Sequence, residues 1–269
     1  MTATVANAVV LGASKQGGTG WAIAEALRGR CGHLTVGARR REGIEKLAGA
    51  IDATALPCDV TSETQVEAFA EAAVQAGGGP IDTAILVAGE GVRGQIEDIP
   101  VAELQRAIDL NFMGPVYFVR HMTRRMREGG SIVLMSSIAA TNPWPGYFSY
   151  GSAKAALQAL VKYAALEYAG RGIRVNAVVP GPIDTPTASA TLSNPNLRKA
   201  VFREIPLGRT ATTHEVAEAV MWFATGAPWI TGECVHVDGG MHLRRPPYPD
   251  ELQAAMRQNI AGSTGEGSS

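Results

Sequence analysis

A single α/β domain, built on a doubly wound seven-stranded parallel sheet with helices on both faces, is the fold class predicted by this 269-residue sequence. Three observations predict it. Short runs of apolar, β-branched residues alternate with longer helical patterns, as right-handed strand–helix–strand units require. The short runs are apolar nearly throughout rather than at every second residue, the pattern of a strand buried on both faces. The first run leads into a glycine-rich turn and then an alanine-rich helix start.

In chain order, the strands are expected at Val9–Leu11, Leu34–Gly37, Thr54–Pro57, Thr83–Val87, Ser131–Met135, Arg174–Val178 and Cys234–Val237. Amphipathic stretches between them predict helices at Thr64–Gln75, Val101–Arg127, Ser149–Ala169 and His214–Ala224. Residues 179–206 break the rhythm with Pro180, Pro182, Pro186, Pro195 and Pro206. A long loop inside a compact domain is usually functional, so a substrate lid is expected at about 186–206. No repeat or linker divides the chain. The domain is expected to occupy 1–243, followed by a Pro-rich and then Gly/Ser-rich tail, 244–269.

Composition excludes several classes. Hydrophobic residues make up 46%, enough for a sizeable core, and Lys+Arg 24 against Asp+Glu 25 leaves a formal charge of -1. No basic excess points to nucleic acid or a membrane surface. No apolar run approaches the ~18 residues of a membrane span. The N-terminus lacks a secretory pattern, and three scattered cysteines fit reduced thiols in a cytoplasmic protein. No paired Cys or His at close spacing suggests zinc, so no metal is expected.

The first strand is followed by Gly12-Ala13-Ser14-Lys15-Gln16-Gly17-Gly18-Thr19-Gly20. Glycine permits a tight turn and lets backbone N–H groups approach a pyrophosphate at the helix N-terminus. The second strand ends in Gly37-Ala38-Arg39-Arg40-Arg41, with the first acid at Glu42. An acid at this strand end would accept from the ribose hydroxyls of NAD, whereas arginine holds the 2′-phosphate of NADP. Three cations opening a helix oppose its dipole, so a solvated helix start explains them poorly. Arg39 and Arg40, with Lys15 from the glycine loop, therefore predict NADP(H). Further along, Tyr150 and Lys154 lie one turn apart on a predicted helix, where an ammonium favours the phenolate and tunes the tyrosine for proton transfer.

At this point the sequence resembles the short-chain dehydrogenase/reductase family, of the Tyr-x-x-x-Lys type, over about residues 5–242. Ser137 precedes Tyr150 at the family's spacing. Asn111-Phe112-Met113-Gly114 resembles its Asn-x-x-Gly motif, and Cys58-Asp59-Val60 its adenine-contacting segment. Pro180-Gly181 with Thr185 resembles the segment that packs on the nicotinamide, and Val237-Asp238-Gly239-Gly240 its last strand. The resemblance implies a Rossmann fold and a catalytic set of Ser137, Tyr150, Lys154 and Asn111. Tyr150 would exchange a proton with the substrate oxygen and Ser137 would hydrogen-bond that oxygen. Lys154 would lower the tyrosine pKa and hold the nicotinamide ribose, and Asn111 would bind a water linking Lys154 to solvent. Implied cofactor contacts are Gly12, Ser14, Lys15, Gly18, Thr19, Gly20, Arg39, Arg40, Asp59, Val60, Ala88, Gly89, Tyr150, Lys154, Pro180, Gly181, Ile183 and Thr185. The implied substrate contacts are Ser137, Trp144, Tyr150 and Phe202.

The chain departs from the family in two places. The glycine loop is two residues longer than usual, with Leu11 where threonine is common. Leu86-Val87-Ala88-Gly89 stands where Asn-Asn-Ala-Gly is usual, which predicts local repacking around Val87. The longer loop resembles the enoyl-reductase branch, but that branch spaces its tyrosine and lysine more widely.

Pro143, Trp144, Pro145 and Phe148, with Leu192, Leu197, Val201 and Phe202 of the lid, suggest an apolar wall and a hydrophobic or cyclic ketone or alcohol. Packing in the core or a subunit interface is the alternative for Trp144 and Phe148. The apolar arc of Leu157, Leu160, Val161, Ala164 and Leu166, on helices that family members pair, predicts a homotetramer. Two other functions compete. One is a 3-oxoacyl-thioester reductase, with Arg124, Arg125, Arg127 and Arg171 meeting an acidic carrier. The other is a non-catalytic NADP-sensing regulator on the same fold.

Overall fold

The computed structural model describes residues 5–186, 188, 192–245, 248, 250–254 and 257. Strand β1 (Val5–Leu11) occupies the middle of the sheet because almost all of its side chains are apolar. It pairs in parallel with β2 (Cys31–Ala38) on one side and β4 (Ile81–Leu86) on the other, so that Val10 lies opposite both Val36 and Ile85. With β3 (Thr54–Pro57), β5 (Met126–Met135), β6 (Arg174–Pro180) and β9 (Cys234–Val237), the sheet runs β3-β2-β1-β4-β5-β6-β9. The order reverses between β1 and β4. Ligands of such sheets bind beyond the strand ends at this switch point. A short pair, β7 (Ile183–Asp184) and β8 (Ala211–Thr212), lies outside the main sheet.

Alternate side chains feed two cores. Val10, Leu34, Val36 and Val178 pack under α1 (Thr19–Arg28), α2 (Arg41–Ile51) and α8 (Thr213–Thr225), against Ile23, Leu27, Ile44 and Phe223. Val9, Leu11, Leu86 and Leu134 face α3 (Glu63–Ala76), α5 (Gly114–Arg125) and α6 (Phe148–Tyr168), through Phe69, Phe118, Leu157 and Val161. Each of these large side chains contributes about 1.5–3 kcal/mol of burial. Val87 packs against the first core and donates its N–H to the Leu11 carbonyl at 2.8 Å, which is the local repacking expected there.

Several expected boundaries differ. β1 starts at Val5, β2 at Cys31 and β5 at Met126, earlier than their apolar stretches. The first residues of β5 include exposed Arg127 and Glu128, and its register with β4 shifts between Ile81 and Thr83, so apolar content does not mark its start. The helix expected at Val101–Arg127 is α4 (Val101–Ile108) and α5 joined by a π turn, Asp109–Met113. The lid region contains α7 (Pro195–Arg203), started by Asn194, whose side chain accepts from the Asn196 and Leu197 N–H groups. Much of the tail falls outside the described residues. Its described part folds back on α7: Glu251 accepts from Arg203 at 3.0 Å, Arg245 at 2.8 Å and the Tyr248 N–H at 2.8 Å.

Candidate active site

The end of β5 and the start of α6 bring the expected reacting groups together. After Met135 the chain leaves the sheet through Ser136 and Ser137, and Ser137 opens a short 3₁₀ turn by accepting from the Ala139 N–H at 3.2 Å. The Ser137 side chain also hydrogen-bonds the Tyr150 phenol. One helical turn on, Lys154 is 2% exposed, and its Nζ donates to the Met135 carbonyl at 2.8 Å. The ammonium lies 5.8 Å from the Tyr150 ring centroid.

The electrostatics differ from the expectation in one respect. Lys154 was expected to lower the tyrosine pKa. Instead, burial pushes the phenol of Tyr150 above its ordinary value, opposed by the Ser137 hydrogen bond and reinforced by Tyr147. Burial also pushes Lys154 down to about 8. Desolvation disfavours the charged form of each group.

Asn111 sits in the π turn, fully buried. Its Nδ2 donates to the Ala107 and Glu90 carbonyls, both at 3.1 Å, and its Oδ1 accepts from the Glu90 N–H at 3.2 Å. The wider turn frees the Ala107 carbonyl, which the side chain then satisfies. Gly89 lies between Asn111 and Lys154. A Cβ added there would stand 3.0 Å from Lys154 Nζ and 3.1 Å from Asn111 Oδ1. Glycine at 89 thus leaves open the space bordered by both groups.

The cofactor residues line the same edge of the sheet. Gly12 has φ +109°, and a Cβ there would lie 2.4 Å from the Ala88 nitrogen, so the turn requires glycine. Helix α1 begins after Gly18 with no side-chain cap and no acid in its first turn, leaving its N–H groups and dipole open to an anion. Lys15 and Ser14 lie in the loop between. A Cβ at Gly43 would be 2.1 Å from the Ser14 carbonyl, so the first turn of α2 packs on the glycine loop. This contact brings exposed Arg39 and Arg40 to that loop, while Arg41 pairs with Glu45 at 3.4 Å.

Asp59 uses its carboxylate locally, accepting from the Thr61 N–H at 3.0 Å and hydroxyl at 2.8 Å, and buried Val60 packs on Gly114. Pro180 and Gly181 end β6, Ile183 lies in β7, and the Thr185 hydroxyl accepts from Ala188 N–H at 3.2 Å. These features fit a nicotinamide dinucleotide. The uncapped α1 terminus suits the pyrophosphate, and Lys154 and Tyr150 suit the ribose and reacting end.

Part of the expected apolar wall is present, while Pro143 and Pro145 are exposed and Phe148 lies outside the cluster. Ile138, Val201, Ile205 and Met241 form a buried cluster, packed by Trp144, Leu192, Leu197 and Phe202. The indole of Trp144 is thus interior to the lid contact. Sequence reasoning missed Tyr147, whose ring meets Tyr150 edge-on at 6.3 Å and lies under Arg93 at 5.0 Å. It also missed Met241, which the Gly239-Gly240 turn delivers to the lid; that glycine pair was the available signal. The same turn gathers His236, Asp238 and His242, with the histidine rings 4.4 Å apart. The Asp238 carboxylate is engaged by the N–H groups of Gly240 and His242, each at 2.9 Å, as a turn cap.

The second core absorbs Leu157, Val161 and Ala164 from the apolar arc of α6, whereas Leu166 is 76% exposed. Of the arginines considered for an acidic carrier, Arg125 pairs with Glu71 and Arg127 with Asp82. Arg171 donates to the Thr123 and Met126 carbonyls. No helix among the described residues is long and apolar enough to cross a membrane.

Comparison with known proteins agrees with this geometry. A family model described as Enoyl-(Acyl carrier protein) reductase matches residues 12–242. The chain is 38% identical over 205 residues to 3beta-hydroxysteroid dehydrogenase 1 of Eggerthella lenta, covering 74% of this chain and 77% of that protein. It is 31% identical over 245 residues to the NADH-dependent enoyl-acyl-carrier-protein reductase FabI of Bacillus cereus, covering 87% and 96% respectively. A short-chain type dehydrogenase/reductase from Mycobacterium ulcerans has a similar structure, with TM-score 0.88, 26% identity and 98% coverage of both chains.

Proposed function

The chain belongs to the short-chain dehydrogenase/reductase family, whose members use a nicotinamide cofactor, and on that premise we propose that it interconverts a ketone and a secondary alcohol with NADP(H). The observation that carries the reaction is the joint placement of Ser137, Tyr150 and buried Lys154 around one point. The cofactor supplies the hydride when bound, and the protein supplies orientation and electrostatics. In the reducing direction Tyr150 Oη donates its proton to the substrate oxygen as charge develops there. Ser137 Oγ hydrogen-bonds the same oxygen and holds it against the phenol. Lys154 replenishes the phenol's proton through the ribose side, and Asn111 with Gly89 keeps a water path open to that lysine. The lid and Trp144 exclude bulk water from this point.

The preference for the phosphorylated cofactor rests on Arg39, Arg40 and Lys15 around the glycine loop. FabI of Bacillus cereus, by its name, uses NADH, which makes the cofactor the first property to test. Fluorescence titration is expected to show NADPH binding at least tenfold tighter than NADH. Arg39→Ala is expected to remove most of that ratio, since a guanidinium–phosphate contact contributes about 1.5–3 kcal/mol. Equal affinities in the parent protein would overturn the NADP(H) reading.

The substrate reading is a hydrophobic or cyclic ketone, supported by the apolar cluster over Ser137 and by the hydroxysteroid activity in the Eggerthella relative's name. A second reading, acyl-thioester reduction, is favoured by the groove of Pro195, Arg198, Lys199, Phe202 and Arg203 on the lid and by the FabI relatives. Activity on carrier-bound acyl chains but not on free ketones would select it. A non-catalytic sensor predicts that Tyr150→Phe leaves the biological effect intact, whereas the enzyme reading predicts loss of turnover with cofactor binding retained. We further propose a soluble cytoplasmic homotetramer.

A further inference from the structure

We infer that Trp144 reads a second oxygen on the substrate: its indole N–H receives a neutral hydrogen-bond acceptor carried away from the reacting carbonyl. This rests on reading Ser137 and Tyr150 as the carbonyl-binding pair. The Trp144 Nε1 atom is shielded from solvent and has no hydrogen-bond partner among the described residues. A buried indole N–H ordinarily finds a partner, because leaving one unmade forfeits its hydration without return. The side chains of its cluster supply none. Ile138, Val201, Ile205, Met241 and Phe202 offer only apolar side chains.

The position is also that of a substrate contact. Ile138 follows Ser137 directly, and Val201 and Phe202 belong to the lid helix, so the cluster joins the reacting pair to the lid. Trp144 itself is fixed by a turn: the Tyr147 N–H donates to its carbonyl at 3.0 Å, and the Gly151 N–H to the Tyr147 carbonyl at 2.7 Å. That turn leads straight into Tyr150. The other buried atoms without a partner, Asn7 Oδ1, His121 Nδ1 and His236 Nε2, belong to side chains outside this cluster.

A lone donor in an apolar surround selects the chemistry of its acceptor. A carboxylate or phosphate would be buried there with its charge unpaired. A hydroxyl, keto or ether oxygen needs only the one donor. The substrate class is therefore a largely apolar ketone with one distal neutral oxygen, and a deoxy analogue leaves the indole unsatisfied.

The test uses the NADPH holoenzyme, its Trp144→Phe variant and two matched pairs. These are cyclohexanone with 4-hydroxycyclohexanone, and 5α-androstan-3-one with 17β-hydroxy-5α-androstan-3-one. In at least one pair, Trp144→Phe is expected to lower kcat/KM for the hydroxylated ketone roughly tenfold more than for its parent. Equal losses within both pairs would reduce Trp144 to bulk and overturn the proposal, as would no loss at all. Nitrogen-15 NMR of the same holoenzyme gives a readout that needs no turnover, with the Trp144 indole resonance assigned by its absence in the variant. The proton is expected at an unbonded, upfield position that moves downfield with a hydroxylated ketone and not with its parent. A resonance already downfield before addition, or unmoved by both hydroxylated ketones, would overturn the proposal. Failure to reduce any of the four ketones would count against the reductase reading, while the indole shift would still decide the role of Trp144.

Discussion

Lys154 is an ammonium buried to 2% exposure, and two consequences follow for the residues around it. Burial raises Tyr150, so the phenol keeps its proton at neutral pH. Ketone reduction, which consumes that proton, is expected to hold its kcat/KM over about pH 6–8, while alcohol oxidation climbs with pH; parallel pH profiles check this. For stability, the folded Lys154 titrates near about 8, below its ordinary 10.5. Between those values the unfolded chain binds the extra proton, so stability rises as pH increases through that window, by on the order of 3 kcal/mol. Urea midpoints at pH 7.5 and 10 should show this rise in the parent and lose it in Lys154→Met. Tyr150 and Lys154 were legible from helix pitch, whereas Ser137 and Asn111 were legible only through the family resemblance. The unpartnered Trp144 N–H and the gap at Gly89 were not, because each depends on what packs from distant segments.

Among the elements, the helical stretch from Val101 shows how far periodicity reaches. The apolar pattern found a helix but not the π turn, because the extra residue is accommodated by the hydrogen bonds of one buried side chain rather than by a change in hydrophobic spacing. Asn111→Ala would strand the Glu90 N–H and the Ala107 carbonyl. It is expected to destabilise the protein by about 1–3 kcal/mol in chemical denaturation and to lower turnover, with NADPH affinity retained. Asn111→Leu, equally deprived but bulkier, should not restore either property. Strand starts were missed for a related reason: β5 opens at Met126, and exposed Arg127 and Glu128 then lie in the register shift before Ser131 rejoins β4, so no apolar run marks the start.

At the scale of the molecule, the layered sheet followed from composition and alternation, whereas assembly depends on surfaces. Val101, Tyr163 and Leu166 are 80%, 67% and 76% exposed on the α4 and α6 helices, and Trp229 is 97% exposed after α8. Exposed apolar side chains mark an association surface where they form one contiguous patch. Mass photometry at micromolar concentration is expected to return four times the 28.2 kDa chain mass, and Tyr163→Glu with Leu166→Glu should give a smaller species. A monomeric parent would overturn the tetramer.

The π turn also shapes how this chain can change over generations. It holds one residue more than an unbroken α-helix of the same span. Deleting one residue from 109–113 would mend the helical ladder and leave everything downstream on its present face. Phe118 and Met122 would stay against the sheet. A lineage that deleted Asn111 would therefore keep the packing of α5 and lose the side chain that bridges Glu90 and Ala107, so the fold can outlive this corner of the site in a single step.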